Sequence, residues 1–263
     1  MTNCLSLEQV GVRLGKTQIL ANVTAEIRQG EFIGIFGPNG AGKSTLANCI
    51  LGLLPMTSGK ISVFGNPAGR NNSWIGYMPQ FRANLASTAL SAFAIVAAVA
   101  HGNHWGLPWY GKALKQEVLE VLELAGALEY AHRPFTVLSG GQKHHIALAQ
   151  AILGKPRLLI LDEPLASLDP RNQMRLVQSV KKIQASTGVT ILFITHDINP
   201  LLGIMDRVLY MAGGSAALGT VDSILTSEAL SNLYRTEMHV IRADGRIFIV
   251  AAEGNVTETA RHA

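Results

Sequence analysis

The chain has 263 residues, of which 48% are hydrophobic, and 22 basic against 18 acidic side chains give it a formal net charge of +4. This length allows one large domain or two modest ones, and no uninterrupted apolar run reaches the roughly 18 residues that a membrane-spanning helix needs. No basic cluster is dense enough to indicate nucleic acid as a partner. The N-terminus lacks the features of a signal peptide, and Cys4 and Cys49 indicate no disulfide framework, so we expect a reducing cytosol.

The first part of the chain predicts strands followed by a helix. Leu5 to Arg13 and Gln18 to Ile27 have the composition of two strands joined by a turn at Gly15-Lys16. Glu31 to Phe36 is a short apolar run that suits a buried strand, and Ser44 to Leu54 carries apolar residues at helical spacing. We therefore expect a strand, a glycine-rich loop and a helix in succession.

The glycine-rich loop fits the phosphate-binding pattern G-x-x-x-x-G-K-[ST]. Its glycines let the backbone wrap closely around a polyphosphate, and the N-terminus of the following helix adds positive potential. The pattern assigns the β- and γ-phosphates to Lys43 and a magnesium ion to Ser44. The predicted nucleotide-binding residues are Gly37, Pro38, Asn39, Gly40, Ala41, Gly42, Lys43, Ser44 and Thr45.

The middle of the chain predicts two more strands and then a helical region. Gly59 to Phe64 and Trp74 to Met78 are typical of strands. From Ala83 to Glu129 the pattern is helical, with a loop at Gly102 to Gly111 that is rich in Gly, Trp and Pro. This helical stretch is predicted to be an insertion, because strand patterns return after it.

The second half predicts a return to alternating strands and helices. Arg157 to Leu161 and Val189 to Ile194 are apolar runs typical of buried strands, and between them Asp169-Pro170 opens a helix that Gly188 closes. This alternation predicts an α/β fold with a mostly parallel sheet. Near the end, Asp244-Gly245 predicts the turn of a hairpin formed by Met238 to Arg242 and Arg246 to Val250, and Glu253 to Ala263 is a polar tail that we expect to be frayed.

Two carboxylates follow the strand that ends at Leu161. The carboxyl end of a parallel strand is where such sheets bind ligands. Asp162 can therefore hold a magnesium shell, and Glu163 can polarise a water aimed at the γ-phosphate. Asp-Glu after a strand is by itself commonly a solvated turn, and the upstream phosphate loop is what favours the catalytic interpretation.

A second anion site is predicted where Leu138-Ser139-Gly140-Gly141-Gln142 begins a helix that runs to about Leu153. Backbone N–H groups and a hydroxyl at a helix start can bind phosphate. The alternative is a local one, in which Ser139 caps the helix and the glycines form a turn. Two phosphate-binding helix ends are redundant unless they serve different nucleotides or two chains share one nucleotide.

These elements together resemble a known family. The resemblance is to the ATP-binding cassette subunits of ABC transporters and covers Leu5 to about Tyr234, because the same features occur in the same order: the phosphate loop, Gln80, Leu138 to Gln142, Asp162-Glu163, Ser167-Leu168-Asp169 and His196. It implies the P-loop ABC ATPase fold, α/β with an antiparallel β subdomain and an inserted helical subdomain at about 83–155. The nucleotide-binding domain would span 1–236, and 237–263 would form a C-terminal hairpin and tail.

The resemblance also implies roles for individual residues. ATP and magnesium are the implied cofactors, and a head-to-tail homodimer forms on ATP binding, in which Ser139, Gly140, Gly141 and Gln142 of one subunit face the phosphate loop of the other. Glu163, His196 and Gln80 are the implied catalytic residues, with His196 at the γ-phosphate and Gln80 coupled to the membrane partner. The implied magnesium ligands are Ser44, Gln80 and Asp162. Asp169 would link the two active sites.

The chain departs from the family pattern in two places. Leu14 occupies the position where relatives usually stack an aromatic ring on adenine, and no Phe, Tyr or Trp precedes Phe32, so we expect weaker stacking. On the helix after the second motif, relatives usually have arginines near His145 and Gln150. The pair His144-His145 is not expected to bind metal, because adjacent helix residues do not share a face.

Several stretches resemble the subunits of zinc, manganese and iron importers in particular, whose close relatives import siderophores or vitamin B12. His104 begins one of them and His101 lies three residues before it, but the loop holds no Cys or nearby carboxylate, so surface chemistry is the expectation there. The stretches are 74–80, 104–107, 131–135, 195–200 and 244–248.

This resemblance implies an ATPase at the cytoplasmic face of the inner (plasma) membrane. Its implied partners are integral membrane permease subunits and, through them, a periplasmic or surface metal-binding protein. Two other functions stay open, a soluble cassette ATPase of DNA repair or translation and a non-hydrolysing regulatory cassette. A soluble cassette ATPase usually has paired cassettes or long insertions, for which this chain has no room. The presence of Glu163 and His196 argues against a non-hydrolysing cassette.

Overall fold

The computed structural model of the protein describes residues 3–70, 72–80, 89–100 and 111–252. Within these ranges the chain alternates between strands and helices. The strands are β1 (Asn3–Leu14), β2 (Thr17–Arg28), β3 (Phe32–Phe36), β4 (Ser58–Val63), β5 (Asn66–Pro67), β6 (Ile75–Met78), β7 (Leu158–Asp162), β8 (Thr190–Ile194), β9 (Arg207–Ala212), β10 (Ser215–Gly219), β11 (Met238–Ala243) and β12 (Arg246–Ala251). The helices are α1 (Lys43–Ile50), α2 (Ala92–Ala100), α3 (Lys112–Leu124), α4 (Gly140–Ile152), α5 (Pro170–Thr187), α6 (Val221–Ile224) and α7 (Ser227–Tyr234).

The central sheet has six strands in the order β10-β9-β3-β8-β7-β6. Every neighbouring pair is parallel except β10 on β9, which is antiparallel. All residues of β3, β7 and β8 are buried. Burial on both faces explains why these strands are continuous apolar runs instead of alternating patterns.

The central sheet separates two hydrophobic cores. Alternate residues of β7 point into opposite cores: Leu158 and Ile160 belong to one, and Leu159 and Leu161 to the other. The first core is shared with α1 and with the antiparallel sheet β2-β1-β4-β5, and the second with α2, α3, α4 and α5. The loops at the ends of the central strands are therefore fixed by packed layers on both sides.

Helices α2, α3 and α4 pack on one another on the second face of the sheet. Within α2, Ala92, Val96 and Ala97 are buried, whereas Leu90 just before it and Val99 near its end are about half exposed. The described part of the apolar segment between Leu85 and Ala100, residues 89–100, thus supplies core on one side and leaves an apolar surface on the other. Residues 85–88 lie outside the described residues. The division of the chain at 236 and the limits of the helical subdomain stay predictions.

The α/β architecture with a mostly parallel sheet is confirmed, and Cys49 lies in the core as a free thiol. Several boundaries differ by a few residues; helix α1, for example, ends at Ile50 instead of Leu54, where the chain turns and Gly52 takes a φ of 71°. Here a side chain would meet Cα of Gly69 at 2.4 Å, so glycine is required. The expected loop at 102–111 and the polar tail at 253–263 lie outside the described residues, apart from Gly111.

Strands β9 and β10 were missing from the sequence-based prediction. They form an antiparallel hairpin around Gly213-Gly214 at the edge of the central sheet. Two apolar runs separated by two glycines are a recognised hairpin pattern, so the signal was present in the sequence. The C-terminal hairpin, by contrast, is found as predicted, with β11 and β12 paired across Asp244-Gly245.

Candidate functional site

The phosphate loop connects β3 to α1 at the carboxyl end of the central sheet. Gly37 has a φ of 146° and Gly42, the residue before α1, a φ of 93°. A Cβ atom at Gly37 would lie 2.1 Å from the carbonyl oxygen of Met211, and one at Gly42 would lie 2.5 Å from the side chain of Leu20. Both glycines are therefore required by backbone conformation and by close packing, and the loop is held against β2 and β9.

The ammonium group of Lys43 turns back into this loop. Its Nζ donates hydrogen bonds to the carbonyl oxygens of Gly37 at 2.8 Å and Pro38 at 3.0 Å. Burial lowers the pKa of Lys43, while the nearby carboxylates of Glu163 and Asp162 act in the opposite direction. A cation held in this position is available to the oxygens of a polyphosphate that enters the loop.

Ser44 and Asp162 meet next to the loop. The hydroxyl of Ser44 donates to Oδ1 of Asp162 at 3.1 Å, and Asp162 is buried at the end of β7. Burial raises the pKa of this carboxyl group, an effect that the hydrogen bond from Ser44 partly offsets. A hydroxyl and a carboxylate side by side are oxygen donors of the kind that Mg²⁺ prefers.

Glu163 and His196 form a second pair beside the first. Nδ1 of His196 lies 3.0 Å from Oε2 of Glu163, and the side chain of Glu163 is 12% exposed against 61% for His196. Glu163 has a φ of 49°, in the left-handed region, and its N–H group donates to the carbonyl oxygen of Ile194 at 2.9 Å. Non-glycine residues in this region are strained and are concentrated at functional sites, and here the strained turn aims a carboxylate toward the phosphate loop.

One cleft of about 440 Å³ is lined by Lys43, Ser44, Glu163 and His196. Asp162 is not part of its wall and is joined to it through the hydrogen bond from Ser44. Gln80, predicted from the resemblance, is part of its wall, and so is Ile19 of β2, which the sequence-based interpretation missed. Leu14, the residue at the family's adenine position, is not part of that wall, although it is exposed at the end of β1. The lining residues are Ile19, Asn39, Gly40, Gly42, Lys43, Ser44, Thr45, Gln80, Glu163, Ala166 and His196.

The predicted second anion site lies outside this cleft. The hydroxyl of Ser139 accepts the N–H of Gln142 at 3.3 Å, and the side-chain oxygen of Gln142 accepts the N–H of Ser139 at 2.9 Å, which is a capping box at the start of α4. Ser139, Gly141 and Gln142 line a different cleft, together with Asn172 of α5. Asp169 caps α5 by accepting the N–H of Asn172 at 3.0 Å. Within the single chain, these residues and the phosphate loop do not share a cleft.

Comparison with known proteins decides what this arrangement is. The family model described as ABC transporter matches residues 20–166. The chain is 39% identical over 229 residues to the "Probable metal transport system ATP-binding protein" of Chlamydia muridarum, covering 85% of this chain and 94% of that one. The chain belongs to the ABC transporter ATP-binding family. It is an ATP-binding cassette, and its enzymatic activity is that of an ATPase.

Further relatives and solved structures agree that the chain is an ATP-binding cassette. The chain is 33% identical to the zinc transport system ATP-binding protein TroB of Treponema pallidum, covering 82% of this chain and 81% of that one. It is 31% identical to the manganese transport system ATP-binding protein MntB of Bacillus subtilis, covering 88% and 92%. Among solved structures, cbiO1 of Clostridium perfringens, part of the transporter complex cbiONQ, matches with a TM-score of 0.77 and 26% identity, covering 88% and 94%. A dimeric cassette, MJ0796, bound to ADP and Pi matches with a TM-score of 0.69 and 27% identity, covering 82% and 98%.

Three polar side chains on α4 form hydrogen bonds to backbone carbonyl oxygens, and one of these carbonyls lies next to the nucleotide cleft. Nδ1 of buried His144 lies 2.7 Å from the carbonyl oxygen of Pro164, the residue after Glu163. Nδ1 of His145 lies 2.5 Å from the carbonyl oxygen of Ala125, and the side-chain amide of Gln150 donates to the carbonyl oxygen of Ile95 at 3.1 Å. A carbonyl only accepts, so each histidine donates from Nδ1. The two histidines bond to different parts of the chain.

The described part of the cassette contains no group of three or more His, Cys, Asp or Glu side chains arranged to hold a metal ion. Its described helices also include none that is long and apolar enough to cross a membrane. His101 and His104, whose metal-binding potential the sequence raised, lie outside the described residues.

The first testable consequence concerns the buried charge of Asp162. Because burial raises its pKa, the ionised carboxylate is costly in the folded cassette at neutral pH, and Asp162→Asn removes that cost while keeping an oxygen for the Ser44 hydroxyl. We expect Asp162→Asn to raise the Tm of the nucleotide-free protein at pH 7, and the gain to shrink as the pH falls through the folded-state pKa of Asp162. Circular dichroism melting measures both effects.

Asp206→Asn is the matched control, because Asp206 is exposed and its Oδ2 accepts the N–H of Phe32 at 2.7 Å. This variant should gain no stability. An Asp162→Asn protein that melts at or below the wild-type temperature at pH 7 would contradict the assignment of a desolvation cost to this site.

A second consequence concerns Leu14. An aromatic stack contributes about 0.5–1.5 kcal/mol beyond area burial, so Leu14→Tyr should tighten ATP binding by about two- to tenfold and sharpen the preference for ATP over other triphosphates. Isothermal titration calorimetry gives the dissociation constants. Leu128→Tyr is the control, since Leu128 is 44% exposed against 47% for Leu14 and lies outside the cleft lining. If the dissociation constant of Leu14→Tyr is unchanged or larger, the base is held in another way.

Proposed function

We propose that the cassette is the ATP-hydrolysing subunit of an importer for a divalent metal ion such as zinc or manganese. The observation that carries this proposal is the match over nearly the full length of relatives named for metal, zinc and manganese transport. The chain is also 31% identical to the hypophosphite import protein HtxD of Stutzerimonas stutzeri, so family membership alone does not select the metal. A siderophore or vitamin B12 importer and a soluble cassette outside transport are the alternatives.

We infer the roles of the cleft residues from the contacts described above. Lys43 binds the β- and γ-phosphates, with the backbone N–H groups of the phosphate loop around them. Ser44, Asp162 and Gln80 would hold a magnesium ion, which would neutralise part of the phosphate charge. The adjacent oxygens of Ser44 and Asp162 fit such an ion.

We propose that Glu163 orients and polarises the attacking water and that His196 contacts the γ-phosphate. Support comes from their 3.0 Å contact and from their common position in the wall of the cleft beside Lys43. A carboxylate that is only 12% exposed and whose backbone is held by β8 keeps a fixed direction, which general-base catalysis requires. His196 then holds the Glu163 carboxylate through its Nδ1 atom.

We propose that the active unit is a homodimer in which two chains share each ATP. Ser139 to Gln142 and Asp169 lie outside the cleft that holds Lys43, so they act on a nucleotide only if a second chain brings them to it. The dimeric cassette MJ0796, which the chain matches with a TM-score of 0.69, supports such an assembly. The exposed helix start at Ser139 is available for this contact.

The third prediction tests the catalytic assignment. Glu163→Gln should bind ATP and accumulate the dimer but hydrolyse ATP about 10²- to 10⁴-fold more slowly, since a general base contributes that factor. Lys43→Ala should instead lose nucleotide binding. Phosphate release and size-exclusion chromatography with ATP measure the two effects. Glu237→Gln, whose carboxylate is 75% exposed, is the control and should hydrolyse ATP normally. Equal rates for Glu163→Gln and wild type would reject the assignment.

We propose further that the cassette works at the cytoplasmic face of the inner membrane, bound to permease subunits and through them to a metal-binding protein outside. The apolar surface of α2 supports a docking role. Leu90 and Val99 are 53% and 49% exposed on a segment without charge, close in sequence to Gln80. Large apolar side chains that are exposed on an uncharged segment favour a partner site.

The fourth prediction tests docking and metal import together. Cells that lack this chain should accumulate less zinc or manganese; the wild-type chain should restore uptake, and Ala89→Glu, beside exposed Leu90, should not, because a charge blocks the apolar contact. The measurements are metal uptake and the fraction of the chain that sediments with membranes. Leu128→Glu is the control and should restore uptake.

Basal ATPase activity of the purified Ala89→Glu protein should equal that of wild type. If this variant assembles and transports normally, or if it unfolds, the segment is core and the docking role is wrong. If wild-type chain restores docking but neither metal's uptake changes, the transported substrate is another one. Ala86, a second candidate position in this segment, lies outside the described residues.

A further inference from the structure

The loop that carries His196 is bonded to the C-terminal hairpin through one side chain, that of Asn199. Its Oδ1 accepts the N–H of Ile247 at 2.8 Å, and its Nδ2 donates to the carbonyl oxygen of the same residue at 3.2 Å. Nδ2 also donates to Oδ1 of Asp197 at 3.1 Å. Because the N–H of Ile247 can only donate and its carbonyl can only accept, the orientation of the amide is fixed by its partners.

The amide of Asn199 therefore takes the place of a neighbouring strand at the edge of β12. Ile247 is 6% exposed, so both of its backbone groups are removed from water and need these partners. The residues involved are separated by 48 positions in the chain. They lie in the two stretches, 195–200 and 244–248, that resemble metal importer subunits; apart from His196, these stretches have no role in the nucleotide chemistry described above.

The hairpin itself is anchored on its other strand. The N–H groups of Met238 and Val240 in β11 donate to the hydroxyls of Ser231 and Ser227 in α7, each at 2.9 Å. Arg242 donates to Asp222 of α6 at 2.9 Å. The hairpin is thus a braced element, and β12 presents a fixed edge to the His196 loop.

The loop is tied at both ends. At its start, the N–H of Thr195 donates to the carbonyl oxygen of Ile35 in β3 at 3.1 Å. At its end, the carboxylate of Asp197 accepts the N–H of Asn199 at 3.0 Å, and Asn199 is held by Ile247. His196 lies between these ties with a side chain that is 61% exposed, so packing alone does not set its direction. The direction of the His196 side chain must therefore be set by the path of the loop backbone.

The C-terminal hairpin also lies close to the phosphate loop. Gly37, Pro38 and His196 on one side, and Ile247 and Phe248 on the other, line a common recess of about 350 Å³. A displacement of β12 would therefore change the shape of this recess next to the nucleotide cleft.

We propose that Asn199 is a positioning residue for His196, and that the C-terminal hairpin is the support on which it acts. The proposal rests on the role of His196 in the proposed function. Asn199 touches no nucleotide; it fixes the end of the loop so that the imidazole stays 3.0 Å from the Glu163 carboxylate. Small losses of alignment of a catalytic group reduce turnover without changing how tightly the substrate binds.

The test compares two variants of the full-length chain that each remove one anchor of the hairpin. Asn199→Ala should lower kcat for ATP hydrolysis about tenfold, with KM for ATP within about twofold of wild type, because alignment is lost and nucleotide binding is not. Arg242→Ala removes the anchor to Asp222, while the bonds from Met238 and Val240 to α7 still hold the hairpin, so kcat should be unchanged. Assays are run well below the Tm of each variant. Asn199→Ser, which keeps one hydrogen-bonding group, should give an intermediate kcat and serves if Asn199→Ala does not fold.

A second measurement shows whether the effect passes through His196. In a His196→Ala background, adding Asn199→Ala should reduce the rate no further. A wild-type kcat for Asn199→Ala or an equal loss in Arg242→Ala would overturn the proposal. So would the same fold-loss in the presence and absence of His196. If His196→Ala alone hydrolyses ATP at the wild-type rate, the role of His196 in the proposed function fails, and the positioning role with it; the single variant distinguishes this case.

Discussion

The alignment of three parallel strands is the constraint on which the rest of the cassette depends. In the register of the central sheet, Ile35 of β3 and Asp162 of β7 both pair with Ile194 of β8. The chain segments that leave these strands therefore begin at the same level. One becomes the phosphate loop, the next carries Glu163 and the third carries His196, so backbone hydrogen bonding alone brings the three within one cleft.

The cleft is built at the expense of stability. Burial lowers the pKa of Lys43 and raises that of Asp162, so each group is held in an environment that disfavours its charged form. Glu163 adds a left-handed backbone conformation. These features are unfavourable for folding. The same buried charges are what a polyphosphate and its counter-ion require for binding, and such a conflict between stability and function is common at functional sites. The apolar layers on both faces of the sheet supply the stability that offsets them.

Hydrogen bonds also connect other parts of the fold to residues next to the cleft. His144 connects α4, the helix that begins at Ser139, to the carbonyl of Pro164 next to Glu163. Asn199 connects the His196 loop to the C-terminal hairpin. Glu163 and His196 are therefore each adjacent to a hydrogen bond that leads to a different part of the fold.

The sequence by itself determined the local elements and the chemistry of the cleft. The phosphate loop, Asp162-Glu163 and the hairpin at Asp244-Gly245 depend on residue types at short spacing, which are visible without a fold. Only the tertiary structure decided that Ile19 and not Leu14 lines the cleft, that His144 bonds to Pro164, and that Asn199 meets Ile247. These contacts join residues far apart in the chain, and their existence depends on strand order, register and packing, which no local pattern of residues specifies.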